Sequence, residues 1–129
     1  ASAKEPTIFA AVDAVLEGRT GLGIRLLHQL HESGRTTSYL IGMMARQLRL
    51  TLLTKELKRQ GLNAEEIGRR LSLSGYPLQK TLEQEPRFTF PRLVSIHQRL
   101  LEADLSLKTR PLDEELTLDM LVAELASRA

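Results

Sequence analysis

The 129-residue sequence contains no cysteine and no tryptophan, and its aromatic residues are three Phe and two Tyr. Without cysteine there is no disulfide framework, thiolate zinc site, iron-sulfur cluster or cysteine nucleophile, and a reducing, cytoplasmic location is expected. Long apolar runs are lacking too. None approaches the roughly 18 residues that span a bilayer, and Ala1 to Pro6 lacks the basic-then-apolar layout of a signal peptide, so no membrane partner is expected. Val, Ile, Thr, Tyr and Phe, which suit a pleated surface, are scarce, and this speaks against a sandwich or barrel. What is abundant is Leu, at 26 positions by count, a residue that loses little rotamer freedom in a helix. The length fits one domain with one core. Because the sequence starts at Ala1 rather than Met, it is expected to be a piece of a larger protein.

The net charge of +2 is unevenly spread. Residues 1–45 carry four basic and four acidic groups, 46–110 carry thirteen and seven, and 111–129 carry one and five. A basic middle beside an acidic tail suits a polyanion on one face or a neighbouring subunit that matches both signs.

Apolar spacings of three and four, with caps and stops, predict about seven helices and no strands. Ile8, Phe9, Val12, Val15 and Leu16 make a short helix that Gly18 ends. After a turn holding Gly21 and Gly23, Ile24, Leu26, Leu27 and Leu30 continue the period to Ser33 and Gly34. Thr36, Thr37 and Ser38 offer caps for the longest helix, about 38–60, stopped by Gly61. Its apolar residues form two stripes, one of Ile41, Met44, Leu48 and Leu52 and another of Met43, Leu50 and Leu57. A helix apolar on two sides is sandwiched between other elements, and part of its Leu is read as surplus to one small core and meant for other subunits. Asn63 and Glu66 form a capping box for a helix from Ala64 that breaks at Ser72 to Gly75. Tyr76 and Pro77 open the next helix, with Leu78 and Leu82 inward. Thr89 caps a helix to about Thr109 on which Leu93, Ile96, His97, Leu100, Ala103, Asp104 and Leu107 share an arc. Asp113 to Glu115 open the last, with Leu118, Leu121, Val122 and Leu125 on one face.

Little in these helices points to catalysis. The Lys80-Thr81 and Lys108-Thr109 pairs lack the glycines of a phosphate loop, so nucleotide hydrolysis is not expected, and no catalytic residue, metal ligand or cofactor is assigned. His28 and His31 share a face, but a surface or half-buried pair is the default over a metal site. Asp104 and Lys108, four apart, read as a structural pair that either orients a neighbouring helix or makes an ordinary salt bridge. Residues 63–84 resemble a helix-turn-helix, although the reading helix shows a mixed face of Gln79, Lys80, Glu83 and Gln84. Arg46, Arg49, Lys55, Lys58, Arg59, Arg69 and Arg70 are candidates for contact with phosphates or a partner, against the plain alternative of a solvated face.

The order of elements is also familiar. Ile8-Phe9 through Val12-Asp13-Ala14-Val15-Leu16-Glu17-Gly18, then Leu26-Leu27-His28-Gln29-Leu30, then Ala45-Arg46-Gln47-Leu48-Arg49-Leu50, resembles the carboxyl-terminal domain of the delta subunit of bacterial DNA polymerase III. Leu62 to Leu71, Pro77-Leu78-Gln79-Lys80 and the run from Leu100 to Thr109 extend the likeness over nearly the whole chain. One departure is Arg110-Pro111, where relatives usually have Gly after Lys-Thr. The resemblance implies an all-α bundle of the clamp-loader collar type, a single helical domain over 1–129, without the amino-terminal domains of the full subunit. It implies a role holding delta in the five-subunit ring that loads the sliding clamp on primed DNA in replication. Its partners would be the other clamp-loader subunits and primed DNA. The chain itself would not be an enzyme, although it would belong to a holoenzyme with DNA-directed DNA polymerase, that is nucleotidyltransferase, activity. An independent helix-turn-helix DNA-binding domain is the alternative.

Overall fold

The helix boundaries follow from local chemistry. A computed structural model describes the backbone of residues 5–109 and 114–127 and the side chains of 7–107 and 118–126. The described residues form seven α-helices and no strand: α1 (Glu5–Leu16), α2 (Thr20–Glu32), α3 (Thr37–Arg59), α4 (Ala64–Leu71), α5 (Gly75–Gln84), α6 (Phe90–Thr109) and α7 (Glu114–Ser127). A 3-10 turn, Glu85–Arg87, joins α5 to α6. Thr36 caps α3 by accepting from the Tyr39 amide at 3.1 Å. In the capping box of α4, the Glu66 amide donates to Asn63 Oδ1 and the Asn63 amide to Glu66 Oε1, both at 2.9 Å. Thr89 caps α6 through the Arg92 amide at 3.2 Å. The break between α4 and α5 turns on Ser72, at φ 56°, and Gly75, at φ 61°.

One expected boundary moves. Helix α2 starts at Thr20, so Gly21 and Gly23 lie inside its first turns rather than in a connecting turn. Gly23 is buried, and a Cβ there would stand 3.2 Å from Val122 Cγ1 and 3.6 Å from Val15 Cγ2. The glycine lets α1, α2 and α7 approach closely, a role that outweighs its poor helix propensity.

Helix α3 runs through the middle of the bundle. It packs most extensively on α6, also on α1 and α5, and touches α2, α4, α7 and the 3-10 turn. Its first stripe enters the main core, where Ile41, Met44 and Leu48 meet Leu27, Leu93, Ile96, Leu100, Leu118 and Leu125. The second stripe corrects the expectation of surplus Leu: Leu50 and Leu57 are only 8 % and 7 % exposed, so the chain's own elements cover them. Of the Leu residues on this helix, Leu53 alone stays exposed.

Candidate interaction surface

The seven candidate cations do not share one face. Lys55 and Lys58 converge on Glu85, with Nζ to Oε2 at 2.9 Å and Nζ to Oε1 at 2.7 Å. Burial works against the charge on Glu85, whose side chain is 6 % exposed, but the two ammonium groups outweigh it and hold the carboxyl below its ordinary range. Arg59 lies at the carboxyl end of α3 and donates from Nε to Glu56 Oε1 at 2.9 Å; this bond is the main reason the Glu56 carboxyl sits at about 2. Arg69 pairs with Glu65, one turn earlier on α4, at 3.1 Å. Arg46, Arg49 and Arg70 have no carboxylate within ion-pair distance among the described residues.

Arg46, Arg49 and Leu53 follow one another at spacings of three and four, so they share the exposed side of α3. Helix α6 lies antiparallel beside it: Ser38, at the start of α3, donates from Oγ to Asp104 Oδ1 at 2.9 Å near the end of α6, while Arg49 acts on His97 farther back. Burial first, and the Arg49 charge second, lower the His97 pKa below its ordinary value, and Nε2 is buried without a hydrogen-bond partner among the described residues. The outer side of α6 exposes Phe90 by 38 %, Val94 by 45 %, Leu101 by 50 % and Leu105 by 63 %. Steps of four, seven and four place these on one stripe of a helix with 3.6 residues per turn. Asp104 is therefore bonded to α3; the Lys108 side chain, its expected partner, lies outside the described residues, as do Arg110 and Pro111.

The helix-turn-helix residues are occupied differently. Gln79 Nε2 donates to Glu83 at 3.2 Å, and Lys80 Nζ meets Glu83 at 3.3 Å while lying 5.5 Å from the Tyr76 ring centroid. Gln84 turns inward, into a buried network that the sequence reading missed. Gln47 Nε2 donates to Gln84 Oε1 at 2.8 Å and to Thr81 Oγ1 at 3.1 Å, and Gln84 Nε2 donates to Asp13 Oδ1 at 2.9 Å and to the Phe9 carbonyl at 3.3 Å. A signal was present, since Gln47, Thr51 and Thr54 follow one another along α3 between its two apolar stripes, and all three are buried. Arg92 was missed as well. Its Nη2 donates to the carbonyls of Val15 at 3.2 Å, Leu16 at 3.1 Å and Leu125 at 3.4 Å, gathering the carboxyl ends of α1 and α7. Arg99 holds Glu124 from α6 to α7 at 2.8 Å, and His28 Nε2 lies 2.6 Å from Asp119 Oδ1 between α2 and α7.

A buried two-sided helix, polar clasps between helices and an outer face mixing apolar residues with guanidinium groups define an all-α bundle domain. Residues 5–125 match the family described as the DNA polymerase III delta subunit, C-terminal domain, and the chain belongs to that family. It is 22 % identical over 124 residues to DNA polymerase III subunit delta of Bacillus subtilis (strain 168), covering 96 % of this chain and 36 % of that protein. The fold is similar to the solved structure of the Bacillus subtilis DNA clamp loader delta protein, with a TM-score of 0.86, 22 % identity and coverage of 97 % of this chain and 37 % of that one. The chain thus spans little more than a third of the length of these relatives.

Proposed function

We propose that this chain is the non-catalytic helical collar of a clamp-loader delta subunit, a single domain that holds the subunit among its neighbours in the ring that loads the sliding clamp on primed DNA. The observation that carries this reading is the stripe of four large apolar side chains left exposed along α6, well round the helix from the arc that the same helix buries in the core. Contiguous exposed apolar surface on a water-soluble domain marks contact with another macromolecule. The family of residues 5–125 supports the other loader subunits as that partner.

Primed DNA belongs to the reading as a lesser contact, through the exposed cations Arg46, Arg49, Arg59, Arg69 and Arg70. Lys55 and Lys58 contribute less because they neutralise Glu85. The work is cytoplasmic, and polymerase activity belongs to the holoenzyme as a whole. An independent helix-turn-helix is not favoured: Gln79 and Lys80 are engaged with Glu83, Gln84 is buried, and the family match runs far beyond α4 and α5.

Mixing the chain with the remaining loader subunits and following size exclusion with light scattering tests the proposal. Co-elution in one complex is expected. A chain that elutes alone, yet binds a duplex sequence-specifically at moderate salt, refutes it.

A further inference from the structure

Resting on the collar reading, we infer that the outer α3/α6 face is the docking site for one kind of partner: an amphipathic helix of a neighbouring loader subunit whose apolar stripe is flanked by carboxylates. The apolar half of the site is Phe90, Val94 and Leu101, extended by Leu105, on α6. Its spacing over about four turns matches the length of one docked helix read at i, i+4, i+11 and i+15. Leu53 is exposed on the side of α3 that carries Arg46 and Arg49.

Charge selects the occupant. Arg46 and Arg49 stand on the α3 side of this stripe, both exposed and both without a described carboxylate, whereas Lys55, Lys58, Arg59 and Arg69 each have an acidic partner within the chain. Asp104 lies at the Ser38 end of this seam and accepts from Ser38 Oγ at 2.9 Å, and Glu56, farther along α3, is bonded to Arg59. His97, on α6 beside Arg49, is held toward its neutral form by burial and by that charge, so it adds no third positive charge to the pair. An apolar stripe edged by two guanidinium groups with no ion-pair partner among the described residues fits an apolar helix edged by Asp or Glu, since guanidinium pairs carboxylate in a bidentate fork. A basic helix would set like charges together, and a neutral one would leave both guanidinium groups desolvated and unpaired.

The full-length delta subunit with its loader partners is the system to test, because the substituted side chains are exposed and the fold should survive. Three proteins are compared: wild type, Arg46→Glu with Arg49→Glu, and Leu101→Asp. Circular dichroism melting checks each fold. The charge reversal is expected to weaken subunit association on the order of tenfold at low salt, with the difference shrinking as salt rises. Leu101→Asp is expected to weaken it on the order of a hundredfold at any salt. Association of both variants equal to wild type overturns this docking site while leaving the collar reading intact; a wild-type subunit that fails to join the loader overturns the collar reading itself. Loss of primed-DNA binding with subunit association unchanged overturns the helical occupant in favour of nucleic acid. A wild-type subunit that self-associates through this face, abolished by Leu101→Asp, overturns it in favour of a second copy.

Discussion

Replacing Gln84 by Met keeps the length of the side chain and removes its polar ends, so it isolates the buried network between α1, α3 and α5. Four contacts disappear: the bond accepted from Gln47 at 2.8 Å, the bond donated to Asp13 at 2.9 Å, the longer one to the Phe9 carbonyl at 3.3 Å, and a 3.4 Å contact from Thr51 Oγ1 that adds little because that hydroxyl donates to the Gln47 carbonyl at 2.8 Å. A neutral buried bond contributes about 1 kcal/mol and one to a charged group about 2 kcal/mol, so the loss is roughly 4 kcal/mol, offset by about 1 kcal/mol for the more apolar side chain. A net cost of about 3 kcal/mol is expected. With an unfolding entropy of about 2.1 cal/mol/K per residue, this lowers Tm by about 11 °C. In the double variant Gln47→Met, Gln84→Met no amide is left stranded, so its cost falls short of the summed single costs by about 1–2 kcal/mol. The pH dependence adds a second check. Burial raises the Asp13 carboxyl above its ordinary 3.8 and the Gln84 bond pulls it down, so removing Gln84 raises it further. A carboxyl raised on folding adds stability below its unfolded value and loses it as pH rises through the folded value. The cost of Gln84→Met is therefore greater at pH 7 than near pH 4. Urea unfolding of the four proteins at both pH values measures this; additive costs with no pH dependence would refute the network as a coupled unit.

Arg92→Met should destabilise the chain by about 2–3 kcal/mol, because three carbonyls at the ends of α1 and α7 lose one cationic donor. An unchanged urea midpoint contradicts that role. Gly68→Ala should lose about 2 kcal/mol, since its Cβ would stand 2.8 Å from both the Leu73 carbonyl oxygen and Leu78 Cδ2. Gly42→Ala meets nothing within 4 Å and should gain up to about 1 kcal/mol; equal effects at the two glycines in thermal melts would count against the close α4–α5 approach. For His97, a pKa lowered on folding means that the unfolded chain takes up the proton first. Its contribution is present above the ordinary value of 6.5 and is lost as pH falls through the folded value. Chemical denaturation between pH 7.5 and 5 should show wild type losing more stability than His97→Gln, and parallel curves would speak against a buried neutral imidazole.

The helices were legible because their signals are local. Thr36, Asn63 with Glu66, Thr89 and Gly18 each act within a few residues, and each stands where the sequence put it. Gly21 and Gly23 misled because glycine serves two purposes that look alike in a string of letters. A turn uses its freedom at positive φ, while a helix crossing uses its missing Cβ, and only the position of Val122, a hundred residues away, tells them apart at Gly23. Long separation also hid the network and Arg92: Gln84 meets Asp13 across 71 positions, and Arg92 meets Leu16 across 76. The cations were legible as a charge excess but not as a surface, since Glu85 gathers Lys55 and Lys58 from α3 across a turn of chain that folds back.

The same reasoning decides which apolar surplus was real. Counting stripes on α3 assigns it two faces and suggests an outside partner, but a central helix has several neighbours, and Leu50 and Leu57 are covered within the chain. On α6 the inward arc of Leu93, Ile96, Leu100 and Ala103 is buried as its spacing predicts, and attention to that arc conceals the second one. Phe90, Val94, Leu101 and Leu105 lie well round the helix from it, so the packing that buries the first arc against α3 leaves the second outside. An apolar stripe therefore speaks for a partner only after each neighbour within the chain has been placed against it. By that criterion the outward claim passes from α3 to α6, and α3 contributes to the same face the charges of Arg46 and Arg49 and, of its leucines, Leu53 alone.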